Sequence, residues 1–341
     1  MMREYVSRLA DLDYDADIAI SIATADHFRP FENKKNFLFT MFETPDLPKS
    51  YIEGIGKADH IIVPCTWLKG VFRRHTTKPV SVCREGVEVE KFTYKERMAP
   101  VYGQKFRFLW VGAPNPRKGY FSVAEICKVI MQNPDVEIYI KTTVPNIDWK
   151  DAQRKVKKER KKLLKHPKGE AVIQRVLEGN YWEIGNKVFR KGPHENIIID
   201  TRNLSIEELV ELYHSAHAFI MPTTGEGFGL TLAEAMATGL PCIATSYSGT
   251  ADFFNDDVGY SIRYKMTDIE LEHYNLKTQC AVPDTNDLLA KMIFVFRNYG
   301  LALRKGRRAS ERIKNKFTWL KAAQRLVEII NGDNNGAYNK N

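Results

Sequence analysis

The 341-residue chain is poor in cysteine and has no long apolar run. Its five cysteines are odd in number and include no Cys-x-x-Cys pair, which argues against a disulfide framework or a cysteine zinc site and suits a reducing compartment. Its apolar stretches fall far short of the ~20 residues that cross a bilayer. The first residues, MMREYVSRLADLDYDAD, are too acidic for a signal peptide. We therefore expect a cytoplasmic protein.

The charge of the chain is unevenly distributed. Lys and Arg number 51 against 42 Asp and Glu, a net charge of +9, which points to an anionic partner: nucleotide, nucleic acid or lipid. Residues 141–168 alone hold 11 basic and 3 acidic residues, a net charge of +8. Two interpretations stay open for this segment. It is a solvated surface helix, or it docks a polyanion or an acidic membrane, which would place the protein at the inner membrane face.

Short apolar runs alternate with helical patterns along the chain. Continuous apolar runs are typical of strands buried on both faces of a parallel sheet, and their alternation with helices predicts an α/β fold. The predicted strands cover 17–23, 36–42, 60–65, 79–83, 106–112, 136–142, 196–200, 216–222 and 241–246. The predicted helices cover 49–58, 66–74, 119–132, 205–214, 231–238, 285–298 and 317–330. A polar stretch near 92–105 marks a boundary between two Rossmann-like halves.

The most informative stretch is MPTTGEGFGLTLAEAMATGLPCIATSYSG, residues 221–249. A buried strand ends in a glycine-rich turn, and the turn opens a helix. Glycines let the backbone approach a ligand closely, and the helix N-terminus offers free N–H groups that suit phosphate. Glu226 lies in the turn and Glu234 eight residues on, inside the helix. Since a carboxylate beside phosphate is electrostatically awkward, we expect these two to accept hydrogen bonds from sugar hydroxyls.

This stretch resembles the retaining glycosyltransferases of the GT-B fold, glycosyl transferases group 1 or family 4 type. Their hallmark is E-x7-E, which Glu226 and Glu234 match. The resemblance implies two Rossmann-like domains facing a cleft, a nucleotide-sugar donor, and front-face substitution with retention. It implies no cofactor and no bound metal. The Asp-x-Asp patterns within residues 11–17 precede a strand rather than follow one, and we interpret them as a solvated turn.

Further residues carry the resemblance. FRFLWVGAPNPRKGYF (106–121) looks like the family's phosphate-binding loop, with Lys118 as the lysine that contacts the donor diphosphate and Ala113 in place of the usual arginine. Arg117 is the candidate to compensate. Glu226 and Lys118 are the expected catalytic residues. The residues expected at the donor are Gly112, Arg117, Lys118, Arg202, Gly227, Phe228, Gly229, Leu230, Thr231 and Glu234. For Arg202 an ordinary loop before a helix cap is the alternative.

The N-terminal part resembles only the second half of a family N-domain. The first half of such a domain carries a glycine loop, so the predicted N-domain, residues 1–100, is shortened. Three alternatives stay open: the chain starts earlier than the given sequence, the N-domain is minimal, or a second copy or a partner subunit completes it. His27 and Glu43 are possible acceptor-side residues, with a plain loop histidine as the alternative for His27. The remaining bounds are a nucleotide-sugar domain over 101–316 with a basic insertion at 141–195, a crossover helix over 317–330, and a disordered tail over 331–341.

The resulting hypothesis is sugar transfer from a nucleotide-sugar to a glycan or lipid-linked acceptor. Two alternatives stay open. The basic segment suggests a phage or viral enzyme that glycosylates hydroxymethylated DNA bases. The shortened N-domain suggests a non-catalytic subunit that binds nucleotide-sugars, although the intact Glu226, Glu234 and Lys118 argue against it.

Overall fold

The computed structural model describes residues 16–101, 103–130, 132–142, 181–183, 188–191 and 196–334. Within these residues the chain forms a four-stranded sheet, an eight-stranded sheet and a two-stranded hairpin. The predicted α/β class with parallel sheets is confirmed. The basic segment lies outside the described residues apart from positions 141 and 142, so its interpretation stays a prediction, as does that of the tail beyond residue 334.

The small sheet lies in the N-terminal part of the chain. Its strands are β1 (Ile18–Ile22), β2 (Lys35–Phe39), β3 (His60–Val63) and β4 (Val80–Val82), all parallel and paired in that order. Helices α1 (Lys49–Ile55) and α2 (Thr66–Arg73) connect them. Every residue of β3 is buried, as the continuous apolar run predicts.

The large sheet contains both parallel and antiparallel strands. Its order is β12-β11-β10-β5-β6-β9-β8-β7, and the first six of these run parallel while β8 and β7 pair antiparallel at one edge. The strands are β5 (Phe106–Val111), β6 (Val136–Lys141), β7 (Tyr181–Glu183), β8 (Val188–Lys191), β9 (Ile197–Asp200), β10 (Ala218–Met221), β11 (Cys242–Thr245) and β12 (Tyr260–Ile262). The helices that follow are α3 (Tyr120–Ile130), α4 (Ile206–Ser215), α5 (Leu230–Ala237), α6 (Thr285–Arg297) and α7 (Tyr299–Lys316).

Both faces of the large sheet are buried, and strand β5 shows how. Phe106, Phe108 and Trp110 pack on the face that α3 and α6 cover. Leu109, which points the other way, packs with residues of α4 and α5. Burying one such side chain contributes roughly 1.5–3 kcal/mol to folding. Two-sided burial therefore explains why these strands are continuous apolar runs in the sequence.

The strand order of the large sheet reverses between β5 and β10. The chain enters at β5, extends to β6 and β9 on one side, and returns to add β10, β11 and β12 on the other. In open α/β sheets a ligand binds in the crevice outside the carboxyl ends of the strands at such a reversal. The loops after β5 and β10 are the two that carry the predicted site.

The last helix returns to the small sheet. Helix α8 (Trp319–Asn334) places Ile329, with Leu326 and Ile330 beside it, against Phe37 and Ile62. The segment between the sheets packs the other way, since Phe92 lies in the core of the large sheet. Buried Arg97 also donates to backbone carbonyls there. The predicted domain bounds stay a prediction.

A β-hairpin is the main feature that the sequence analysis missed. Strands β13 (Tyr264–Leu271) and β14 (Leu276–Pro283) pair antiparallel between β12 and α6. The hairpin leaves the large sheet and reaches the small one, where its Leu271, Tyr274 and Leu276 pack on the core. Strands β7, β8 and β12 and helix α7 were also not predicted.

Candidate active site

The loop after β5 holds Lys118 in a fixed position. The side chain of Asn115 accepts a hydrogen bond from the Lys118 N–H at 3.0 Å, and the Trp110 indole donates to the Lys118 carbonyl at 3.2 Å. Gly119 follows with φ of +75°, and a Cβ there would lie 1.9 Å from the carbonyl oxygen of Pro222. This glycine therefore lets the loop after β5 pack directly on the end of β10.

Glu226, in the loop after β10, is the centre of the site. Its side chain is 6% exposed, and both carboxylate oxygens lie 2.8 Å from Lys118 Nζ. Arg117 donates to Glu226 at 3.1 Å, and the Thr223 hydroxyl donates at 3.0 Å. A buried carboxylate needs a paired charge and satisfied lone pairs, and these three donors provide both. The sequence analysis therefore named residues that the structure brings together.

Two cations and three carboxylates share this part of the cleft. Arg117 also contacts Glu43 of the small-sheet side, with Nη2 and Oε1 3.4 Å apart. Glu85, in the loop after β4, is half-buried. Burial raises its pKa, the nearby Glu226 carboxylate raises it further, and Lys118 lowers it. Glu85 was not among the predicted site residues. It lies near Glu226 because the two sheets pack together, and no local sequence pattern shows that packing.

The glycine-rich turn is held tightly from both sides of the cleft. A Cβ at Gly227 would lie 2.3 Å from Met41 Sδ, and one at Gly225 would lie 2.6 Å from the Glu43 carbonyl oxygen. Gly229 has φ of +108° and precedes the first residue of α5. Ser248 completes the turn, since the Glu226 N–H donates to its hydroxyl at 2.9 Å.

The residues that open α5 differ in their surroundings. Phe228 is buried and packs against Phe253, with ring centroids 5.0 Å apart. Leu230 and Thr231 are partly exposed in the first turn of the helix, where backbone N–H groups lack intrahelical partners. Gly112, at the end of β5, has Trp110 and the Lys118 side chain within 4 Å of its Cβ position. The donor contacts assigned to these residues stay a prediction.

Glu234 lies inside α5, away from the Lys118 pair. It is 9% exposed, and the fully buried Tyr213 hydroxyl donates to its Oε2 at 2.9 Å. Burial raises the pKa of Glu234 to about 7, against a smaller lowering by the Tyr213 hydrogen bond. A carboxyl with such a pKa changes charge near neutrality.

Arg202 is hydrogen-bonded to other residues of the protein, through both its side chain and its carbonyl. Its guanidinium donates to both oxygens of Asp200, at 2.9 and 2.6 Å, and Lys141 donates to its carbonyl at 2.6 Å. Burial raises the pKa of Asp200, but hydrogen bonds from Arg202 and Tyr139 outweigh burial and hold that pKa below its ordinary value. Contact of Arg202 with a donor stays a prediction, and its geometry favours the alternative of a structural loop residue.

The two acceptor-side candidates are placed differently. Glu43 lines the cleft beside Arg117. The side chain of His27 is 82% exposed, and its Nδ1 contacts Thr24 Oγ1 and Asp26 Oδ1 at 2.9 and 3.0 Å. The position of His27 favours the alternative of a plain loop histidine. Asp46, next to Glu43 in the same loop, accepts a hydrogen bond from Thr278 of the hairpin at 2.9 Å.

Within the described residues, the chain offers neither a metal-binding cluster nor a membrane-spanning helix. Among the residues with described positions, no group of three or more His, Cys, Asp or Glu side chains could hold a metal ion. Nor is any helix in the described ranges both long and apolar enough to span a bilayer. The five cysteines are buried free thiols.

Solved structures with the same architecture define the class. Sucrose-phosphate synthase from Thermosynechococcus elongatus superposes with a TM-score of 0.65 at 16% identity, covering 97% of this chain and 76% of its own. HepE of Anabaena, solved with UDP and glucose, superposes with a TM-score of 0.59 at 11% identity, covering 87% and 72%. The chain therefore has the GT-B fold of glycosyltransferases, as expected from the resemblance.

Sequence comparisons find similar proteins among the glycosyltransferases. The model of the family 4 glycosyltransferases in conflict systems matches residues 192–326. Trehalose synthase of Thermococcus litoralis is 25% identical over 224 residues, which are 62% of this chain and 48% of that protein. The sulfoquinovosyl transferase SQD2 of Arabidopsis thaliana is 35% identical over 88 residues, 26% of this chain and 16% of its own. The chain spans about half the length of the trehalose synthases that it matches. Over residues 192–326 it is similar to the family 4 glycosyltransferases.

Proposed function

We propose that this chain transfers a sugar from a nucleotide-sugar donor to an acceptor hydroxyl with retention at the anomeric carbon. The observation that supports the proposal most is the Lys118–Arg117–Glu226 cluster at the strand reversal of the large sheet. It combines two cations, a buried carboxylate and a helix N-terminus in one crevice. A diphosphate leaving group needs the positive charges, and sugar hydroxyls need the carboxylate.

Each element of the cluster has a proposed role. The diphosphate lies at the N-terminus of α5, where Phe228 to Thr231 offer backbone N–H groups and a positive dipole end. Lys118 and Arg117 shift some of their hydrogen bonds from Glu226 to the diphosphate as the bond between the sugar and the leaving group breaks. Glu226 then accepts hydrogen bonds from the donor sugar. These two cations take the place that a metal ion has in other sugar transferases, so we expect transfer without added metal.

The two cations also resolve the electrostatic problem of a carboxylate beside a phosphate. Lys118 and Arg117 both contact Glu226, so the charge of that carboxylate is offset by two cations before the donor binds. Glu234 is the proposed partner of the ribose hydroxyls. Because HepE was solved with UDP and with UDP-glucose, UDP-sugars come first in a screen of donors, followed by GDP- and ADP-sugars.

The test measures donor hydrolysis and transfer by the purified chain. Lys118→Met and Glu226→Ala should each lower turnover by about a hundredfold or more. Lys105 is the matched control, because it is a lysine just before β5 and outside the cluster; Lys105→Met should leave turnover unchanged. Equal turnover in wild type and Lys118→Met would overturn the proposed role. Product stereochemistry, read by NMR of the anomeric proton, tests retention.

A further inference from the structure

A large cavity lies beside the Lys118–Glu226 cluster. Its volume is about 670 Å³, within the size range of small-molecule sites. Three parts of the chain enclose it: the loop after β2, the loop after β5 with the start of α3, and the β13–β14 hairpin. The hairpin thus completes a site that the two sheets alone leave open.

The walls of this cavity are mainly apolar and aromatic. The small sheet and its first helix contribute Phe42 and Tyr51, and α3 contributes Phe121. The hairpin contributes an apolar wall that includes Leu271 and Tyr274. Phe42 and Tyr274 are in edge contact, with ring centroids 5.4 Å apart. Such surfaces bind flat apolar bodies by burial and by ring contacts.

Two charged residues line the cavity where it adjoins the Lys118–Glu226 cluster. Glu43 and Arg117 both line the cavity, and Arg117 joins it to Glu226 through a contact of 3.1 Å. A ligand with a hydroxyl beside them would present it to the cluster while the rest of its body stays among apolar side chains. Glu43 is the carboxylate within reach of such a hydroxyl.

We propose that this cavity is the acceptor site, and that the acceptor is a hydroxyl group carried on a compact apolar body, aromatic or alkyl. This inference rests on the proposed function. A saccharide or nucleic acid acceptor would bury many hydroxyls or phosphates against apolar walls, and each unpaired polar group would cost free energy. The apolar side chains of the hairpin set this preference for an apolar acceptor. The Thr278 hydroxyl holds the hairpin in place by donating a hydrogen bond to Asp46 of the small-sheet side at 2.9 Å.

The test uses 2-naphthol as the probe and measures its binding by calorimetry in the absence of donor. Ile269 and Val282 line the cavity from the hairpin and are partly exposed, so Ile269→Asp and Val282→Asp should fold. Each should weaken 2-naphthol binding by about tenfold or more, because it places a carboxylate in the apolar wall. Thr267 lies on the same strand, is exposed and does not line the cavity. Thr267→Asp is the matched control and should bind like the wild type.

Competition with 2-naphthol distinguishes the chemical classes of acceptor. Octan-1-ol should displace 2-naphthol if the site accepts alkyl bodies, and failure to displace would restrict the class to aromatic alcohols. Maltose and duplex DNA should displace none. Displacement by maltose or DNA, or equal binding by wild type and both aspartate variants, would sink the proposal.

The acceptor inference and the proposed function fail in different ways. If 2-naphthol binds as described but no nucleotide-sugar is bound or hydrolysed, the cavity assignment holds as a binding site and the transfer function is wrong. If donor hydrolysis depends on Lys118 but Ile269→Asp and Val282→Asp leave the affinity for 2-naphthol unchanged, the proposed function stands and the acceptor class is wrong.

Discussion

The two sides of the cleft differ in the polarity of their side chains. On the large-sheet side, the partly exposed Lys118 and Arg117 surround the buried Glu226 on short loops. On the other side, hairpin residues and the buried Phe42 and Tyr51 behind them line an apolar cavity. Under the proposed function, the polar side binds the diphosphate and hydroxyls of the donor, and the apolar side binds the acceptor. Recognition of the two substrates would then be divided between separate parts of the chain.

The largest expected effect comes from breaking the polar cluster as a unit. Lys118→Met and Glu226→Gln should each reduce kcat/KM by roughly a thousandfold, and the double variant should be scarcely worse than either, because the two groups act together. Steady-state kinetics of the four proteins measures this. If the two losses multiply, Lys118 and Glu226 act independently and the cluster is not one functional group.

The next effect tests the packing that holds Lys118. Gly119→Ala forces a Cβ to within 1.9 Å of the Pro222 carbonyl oxygen at φ of +75°, so we expect a loss of about 2 kcal/mol or more in the free energy of unfolding. Donor binding should weaken as the loop shifts. Gly70, inside α2, has nothing within 4 Å of its Cβ position, so Gly70→Ala should be stabilising by about 0.5–1 kcal/mol. Urea unfolding measures both, and equal effects would contradict the close packing.

A third prediction concerns pH and Glu234. Burial raises the pKa of Glu234 from 4.5 to about 7, so between these values the folded chain binds a proton that the unfolded chain lacks. Stability conferred by this proton is present below pH 4.5 and declines as pH rises to about 7, by up to about 1.4 kcal/mol per pH unit.

The matched variant is Glu234→Gln, in which this slope should disappear. Urea unfolding of both proteins at pH 5, 6, 7 and 8 measures it. Donor affinity should change in the opposite direction in the wild type, since accepting hydrogen bonds from ribose hydroxyls favours the carboxylate. A pH-independent difference between the two proteins would contradict the raised pKa.

The smallest effect concerns a second ion pair between the two sides, besides Arg117–Glu43. Arg84, after β4, donates to Asp252 at 2.7 Å, and the Arg84 side chain is 42% exposed. Arg84→Met should cost about 1 kcal/mol or less, and the difference should shrink at high salt. Thermal unfolding at low and high salt measures this. Lys49, which pairs with Glu53 on the exposed side of α1, serves as a comparison that lies within one element.

The sequence predicts the polar side of the cleft better than the apolar side, for physical reasons. Local rules apply in the large-sheet part of the chain: the Ser-x-x-Glu spacing of Ser205 and Glu208 fits a capping box, and both hydrogen bonds are present at the start of α4. Continuous apolar runs similarly predicted β10 and β11. The pairing of Lys118 with Glu226, 108 residues apart, follows from the strand reversal rather than from spacing.

The hairpin could not be predicted in the same way. Its sequence, YKMTDIELEHYNLKTQCAVP, is largely polar and exposed, with an irregular burial pattern. Its Leu271, Tyr274 and Leu276 pack on the core of the small sheet, which is far away in sequence. Antiparallel edge strands β7 and β8 lie in a segment without apolar runs long enough to mark them. These elements depend on tertiary contacts that a local pattern does not contain.

The hairpin also begins and ends at one point of the large sheet. The Asp284 N–H donates to the Arg263 carbonyl at 2.8 Å, so the backbone closes immediately outside the paired strands. A segment with adjoining ends can be exchanged for another of different length or composition without moving β12 or α6. If the proposed acceptor site is right, grafting a different hairpin at this point would change the acceptor that the chain uses and leave donor binding unchanged.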